Sequence, residues 1–196
     1  MTGRTYPRTF FRRDARAVAR DLLGAVITST GTGTTLRARI VETEAYLGTN
    51  DPASHSHRGL TPRNAVMFLD GGHLYVYFTY GMHFCANVVS GPPGRGEAVL
   101  IRAVEPLEGI GLMRRRRGAR CEPREIANGP AKFCQAFGIG RDENGIDLCG
   151  GGKIVLTRGA RRKEERIVAT TRIGIRHAQE KRWRYYLSGN GFISRA

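Results

Sequence analysis

An α+β fold is what the sequence predicts: one domain with a curved, mostly antiparallel β-sheet, helices around its rim and a protruding β-hairpin. Three observations lead there. The chain has 196 residues, 40% of them hydrophobic, which is enough for one real core. Two hairpin signals stand in its first half, one turning at Ser29 to Gly33 and one at Tyr80-Gly81. The helical patterns between the strands are short, and no repeat, low-complexity linker or charge boundary divides the chain. The expected division is a basic N-terminal arm over 1–13 and a single domain over 14–196.

In chain order, residues 1–13 are basic and contain no apolar h-region, so they are no signal peptide. Asp14 can cap a helix that runs to Leu23, with Ala15, Val18, Ala19, Leu22 and Leu23 on one side, and Gly24 ends it. Residues 25–28 and 36–46 read as an antiparallel pair. Residues 47–64 are loop, and 65–69 a short apolar run. Residues 73–79 and 82–89 are the second pair, with glycine at the turn and a large ring, Tyr80, beside it. Residues 98–104 are a strand with Arg102 inside an apolar run. Pro106 can open a helix to about Arg117, and Asn128 can cap one that starts at Pro130 and stops at Gly138. The amides of that second helix, with Lys132, suit a phosphate. Residues 154–157, 167–175 and 183–187 are candidate strands, and 158–166 is a charge run of the kind that usually forms a solvated face.

Composition narrows the function classes. Formal net charge is +15, from 32 basic and 17 acidic residues. Only Lys132, Lys153, Lys163 and Lys181 are lysines; the other basic residues are arginines, whose planar forks match phosphates and base edges. A nucleic-acid partner is the first expectation, and a merely solvated basic surface is the alternative. Cys85, Cys121, Cys134 and Cys149 include no C-x-x-C pair, which argues against a zinc site or a disulfide scaffold. No run approaches the roughly 20 apolar residues of a membrane span, and a reducing cytoplasmic compartment fits.

The stretch Arg39-Ile-Val-Glu-Thr-Glu-Ala-Tyr46 carries the chemistry. Alternation puts Val41, Thr43 and Ala45 on one face of the strand and Glu42, Glu44 and Tyr46 on the other. Two carboxylates about 6–7 Å apart, at roughly 3.3 Å rise per residue, can orient and deprotonate a water. The alternative is a solvated edge with two free acids. His55 and His57 with Glu44 make only a weak metal pattern, lacking a third ligand at a diagnostic spacing. Tyr46, Tyr75, Tyr77 and Tyr80 can stack bases. Tyr75 reads better as a core tyrosine, whereas Tyr80 at the hairpin tip can wedge into a duplex.

Ile40-Val-Glu-Thr-Glu-Ala-Tyr-Leu-Gly48, His55-Ser, Thr61-Pro-Arg-Asn64, Leu74-Tyr-Val-Tyr, Tyr80-Gly-Met and Cys85-Ala-Asn87 stand in one order along the chain. Leu100-Ile-Arg-Ala-Val-Glu-Pro-Leu-Glu108, Gly129-Pro-Ala-Lys-Phe-Cys-Gln135 and Arg172-Ile-Gly-Ile175 follow. Together they resemble the alkyladenine (3-methyladenine) DNA glycosylase family of the mammalian type, in its compact bacterial branch. The resemblance runs from the first helix to the last strand. It implies a monofunctional enzyme that flips damaged purines (3-methyladenine, 7-methylguanine, hypoxanthine, ethenoadenine) out of duplex DNA. The glycosidic bond is then hydrolysed to leave an abasic site. Glu44 matches the general base and Arg102 the arginine beside the water, with a main-chain carbonyl near Ile173 as a third contact. Tyr46 and Tyr77 match the aromatics that sandwich the base, His55 the group at its edge, and Asn87 the asparagine that rejects normal purines. Tyr80 matches the residue that fills the gap in the duplex, with Met82, His83 and Arg63 at the DNA surface and Lys132 in the phosphate-contacting helix. No metal or cofactor, a monomer, and a bacterial cytoplasmic, nucleoid-associated location are implied.

The chain departs from the mammalian members in three ways. The 55–61 loop is one residue shorter, His83 replaces a tyrosine, and the long N-terminal extension is absent. A non-catalytic nucleic-acid-binding protein on the same fold, with Glu44 idle, is the alternative function. A metal-dependent nuclease using His55 and His57 is a third.

Overall fold

A computed structural model of the protein describes residues 3–31, 33–118 and 120–195. The alternating stretch singled out above forms the central strand. It is β2 (Leu36–Leu47), which follows β1 (Val26–Ser29) in an antiparallel hairpin. The second hairpin is β3 (Leu74–Thr79) with β4 (His83–Ser90), and β5 (Glu97–Glu108) joins it to the other side of β2. Strands β6 (Ile154–Thr157), β7 (Ile167–Thr170) and β8 (Arg184–Leu187) complete an eight-stranded sheet. Its main order is β3-β4-β5-β2-β1-β6, and β8 pairs with both β2 and β7. Every strand pairing among the described residues is antiparallel. The expected α+β class is the one observed.

Among the described residues four α-helices dress the sheet: α1 (Arg8–Phe11), α2 (Ala15–Asp21), α3 (Ile110–Arg117) and α4 (Pro130–Phe137). Asp14 caps α2, its side chain accepting from the Arg16 amide. Ala15, Val18 and Ala19 of α2 are buried, and Thr43 Oγ1 of β2 donates to the Ala19 carbonyl at 2.9 Å. Phe133 and Phe137 of α4 are buried, and that helix packs on β4 and β5.

Several expectations are corrected by packing. The described part of segment 1–13 is no free arm. Tyr6 and Phe11 are buried, and Tyr6, Phe10 and Phe11 form an aromatic cluster. Three of the four arginines of the segment find acids: Arg8 with Asp147, Arg12 with Asp70, Arg13 with Asp21. Pro106 opens no helix. It lies inside β5 opposite Ala38, where the ladder with β2 is irregular and a missing N–H is tolerated. The turn into α3 is made instead by Gly109 at φ 74°, where a Cβ would meet Leu36 Cδ2 at 2.4 Å. The N-cap of α4 is Gly129, not Asn128, whose side chain accepts from Lys132 Nζ at 2.8 Å. The strand expected over 167–175 ends at Thr170. Residues beyond it leave the sheet and form one wall of a cavity.

Candidate active site

One cavity has a volume of about 540 Å³, within the roughly 300–1,000 Å³ of small-molecule sites. It lies where β2, β5 and the β3–β4 hairpin meet the loop around Ser54 and the segment 173–177. Tyr46, His55, Tyr77, Asn87, Arg102 and Ile173 all line it, so six expected site residues from five separate stretches converge. Tyr75 lines it too, although it is almost wholly buried, as expected of a core tyrosine.

Glu44 stands directly behind this wall, 0% exposed. The three groups that hold it are themselves wall residues. The Ile173 amide donates to Oε1 at 2.8 Å, the Tyr46 hydroxyl donates to Oε2 at 2.8 Å, and Arg102 Nη1 lies 3.3 Å from Oε1. At Ile173 it is the amide N–H that reaches the carboxylate. Burial pushes the Glu44 carboxyl above its ordinary pKa; Arg102, the Ile173 amide and the Tyr46 hydroxyl pull it back only in part. Burial also drives the Tyr46 hydroxyl well up, helped by the neighbouring Glu44.

Glu42 shares the face of Glu44, as alternation requires, but is engaged elsewhere. It accepts from Arg184 Nη1 at 2.7 Å, the Ser194 amide at 2.6 Å and the Ser194 hydroxyl at 2.9 Å. The Arg102 guanidinium lies between the two acids, its Nε 3.2 Å from Glu42 Oε1. The reading of both as free edge acids is excluded.

The aromatic walls are held in place. Tyr75 and Tyr77 stack with centroids 5.6 Å apart, and His55 meets Tyr77 edge-on at 4.4 Å. His55 Nδ1 and the Tyr75 hydroxyl are 3.2 Å apart. Burial, then nearby Arg63, lowers the His55 pKa, which favours the neutral ring. Asn87 Nδ2 donates to the Tyr75 carbonyl at 3.3 Å. Tyr46 is backed by Arg172, whose Cζ lies 4.8 Å from the ring centroid. Arg172 is itself clamped by Asp51 in a fully buried pair.

The rim of the cavity is exposed and mixed. Tyr80 is 82% exposed at the hairpin tip, at φ 52°, and also lines the cavity mouth. Met82 and His83 are exposed beside it. Arg63 Nη2 donates to the Phe78 carbonyl at 3.0 Å, tying the preceding loop to the hairpin. Lys132 reaches Asn128 and lies 3.6 Å from Glu125, while Pro130 at the start of its helix lines the cavity. His57 turns to the Thr49 carbonyl at 2.8 Å. No group of three His, Cys, Asp or Glu among the described residues could hold a metal ion. No helix among them is long and apolar enough to cross a membrane.

Comparison with known proteins decides the family. The family model described as methylpurine-DNA glycosylase (MPG) matches residues 9–191. The chain belongs to the methylpurine-DNA glycosylase family. It is 50% identical over 189 residues to a protein of Carboxydothermus hydrogenoformans named "Putative 3-methyladenine DNA glycosylase", covering 96% of this chain and 98% of that one. Proteins of the same name from Burkholderia cenocepacia and Methanoculleus marisnigri are 46% and 48% identical. They cover 99% and 97% of this chain and 93% and 99% of their own. The protein is therefore a DNA-repair glycosylase acting on damaged bases, and its +15 charge suits a DNA substrate.

Four parts of the candidate site were not singled out from sequence. Asp51 clamps Arg172, Arg184 and Ser194 hold Glu42, and Cys85 lines the cavity. Only an unusually polar Arg172 beside the Ile173 segment could have hinted at the first. The partners of Glu42 are 142 and 152 positions away, and no local pattern announces them.

Proposed function

We propose that this glycosylase flips a damaged purine out of duplex DNA into the cavity and hydrolyses its N-glycosidic bond with a water activated by Glu44. The observation that carries the reading is a carboxylate buried beside Arg102, immediately behind a wall of Tyr46, Tyr77, His55 and Asn87. The everted base stacks on Tyr46 and Tyr77, with His55 at its edge and Asn87 selecting against normal purines. Seating a base against Tyr46 moves its hydroxyl off Glu44 Oε2 and gives a water access to that oxygen. Glu44 takes a proton from the water, the water oxygen bonds to the anomeric carbon, and the glycosidic C–N electrons leave with the purine. The developing sugar cation is stabilised by the ionised carboxylate.

A base inside the stack is unreachable, so the enzyme must supply the few kcal/mol of unstacking. Tyr80 fills the vacated space, Met82 and His83 flank it, and Arg63 and Lys132 meet phosphates. Methylation at N3 or N7 makes the purine cationic and a better leaving group. Such a base stacks well on electron-rich rings; hypoxanthine and ethenoadenine depend more on the pocket. Among the described residues no lysine lines the cavity, so no Schiff base forms, and a monomer leaves an abasic site uncut without a cofactor.

The test is release of free 3-methyladenine and hypoxanthine from lesion duplexes by the wild type and by Glu44→Gln. The variant should bind the lesion and release nothing. Equal excision by the two proteins would remove Glu44 from the role of base, and strand cleavage without added base or heat would refute monofunctional hydrolysis.

A further inference from the structure

We propose that Glu42 is a positioning residue: it fixes the Arg102 guanidinium against Glu44, and Ser194 near the C-terminus is its clasp. The inference rests on the reading of Glu44 as the base. Glu42 and Glu44 project from the same face of β2, and Arg102 of β5 lies across both. Its Nε faces Glu42 Oε1 at 3.2 Å and its Nη1 faces Glu44 Oε1 at 3.3 Å. One edge of the fork is thus spent on an anchor and the other on the base.

Glu42 is suited to be the anchor because it is immobilised from elsewhere. Arg184 of β8 grips Oε1 at 2.7 Å, while the Ser194 amide grips Oε2 at 2.6 Å. The Ser194 hydroxyl donates to Oε1 at 2.9 Å and accepts from Arg102 Nε at 3.2 Å, so it bridges the acid and the guanidinium. Arg184 Nη1 also donates to the Arg195 carbonyl at 2.9 Å, which pins the chain end that carries Ser194. The charged groups facing this cluster are Arg102 from β5, Arg184 from β8 and Glu44 from β2 itself. Local register adds support: β2 is irregular against β5 on both sides of Glu42, between Ile40 and Thr43. A bulge re-aims side chains next to a site.

Without Glu42, Arg102 keeps its strand but loses the contact that sets its fork. A misplacement of about 1 Å in a catalytic array costs on the order of 100-fold in rate. The experiment is a cycle of Glu42→Gln, Arg102→Ala and the double variant. It is read as single-turnover excision and as lesion-duplex affinity, beside wild type and Glu44→Gln. Glu42→Gln should slow excision roughly 10- to 100-fold and leave affinity within about threefold. The double variant should be no slower than Arg102→Ala alone, because Glu42 acts through Arg102.

Multiplying losses in the cycle, an unchanged rate for Glu42→Gln, or a loss confined to affinity would overturn the proposal. If wild type excises and Glu44→Gln does not, such a failure leaves the role of Glu44 intact. Should Glu42→Gln not fold, Ser194→Ala and Ser194→Thr replace it. The alanine variant should be several-fold slower on the same geometric argument and the threonine variant restored, since it keeps the hydroxyl; equal rates for the two overturn the role of the clasp.

Discussion

Asp51→Ala should cost more stability than any other single change at the wall of the site. Asp51 and Arg172 side chains are both 0% exposed and meet in a bidentate pair at 2.5 and 2.9 Å. Asp51 also accepts from the Leu47 and Ala53 amides at 3.2 and 3.1 Å. Deleting the carboxylate strands a guanidinium whose Nε already has no hydrogen-bond partner among the described residues. Only the Ala45 carbonyl, at 3.1 Å, and the faces of Tyr46 and Trp183 remain to it. Breaking a buried pair from one side costs about 3–5 kcal/mol, a third or more of the net stability of many domains. For a chain of this size that is a fall in melting temperature on the order of 10 °C.

The assay is thermal and urea unfolding of Asp51→Ala, Asp51→Asn and Asp51→Ala/Arg172→Met. The asparagine variant should fall between alanine and wild type. The double variant should recover part of the loss, because it removes the stranded charge. Excision measured well below the transition should also slow, since Arg172 backs Tyr46 and precedes the amide that holds Glu44. A melting temperature for Asp51→Ala within about 2 °C of wild type would refute the reasoning.

Three further outcomes follow from the same geometry. As the proposed base, Glu44 would work deprotonated, and burial raises its pKa, so excision should fall as pH drops through a value above the ordinary carboxylate pKa of about 4.3, and level off above it. Single-turnover rates across acid to neutral pH check this, and a limb at or below that value contradicts it. Tyr80 holds a left-handed φ of 52°, so Tyr80→Gly should melt no lower than wild type, or up to about 1 kcal/mol more stable, yet excise from duplex more slowly. A melt clearly below wild type argues against strain at the tip. Duplex affinity should fall linearly in log–log form with added salt, as titration by fluorescence anisotropy would show; a flat response contradicts phosphate contacts by the arginines.

How much of this was legible in the sequence depends on how far apart the interacting residues lie. Alternation along β2 announced the shared face of Glu42, Glu44 and Tyr46, because the period of a strand is a local property. Arg102 was legible as an anomaly, one charge in an apolar run. Asp14 was legible as a cap for the same local reason. The first segment was misread because its arginines outweighed Tyr6, Phe10 and Phe11 in a reading by charge, although buried rings decide where a segment packs.

The different fates of the two acids were not legible from the local pattern; only the family resemblance singled out Glu44. Glu42 and Glu44 are equivalent by pattern, spacing and residue type. What separates them is that Arg184 and Ser194 arrive at one, and Tyr46, Ile173 and the cavity at the other. The loop 171–177 makes that distinction possible. A strand continued to Ile175 would have kept the Ile173 amide in a ladder; ending β7 at Thr170 frees it to donate to Glu44. The buried Arg172–Asp51 pair pins the loop in that course. One irregular turn, unreadable from periodicity, is therefore what sets Glu44 apart from its equivalent neighbour.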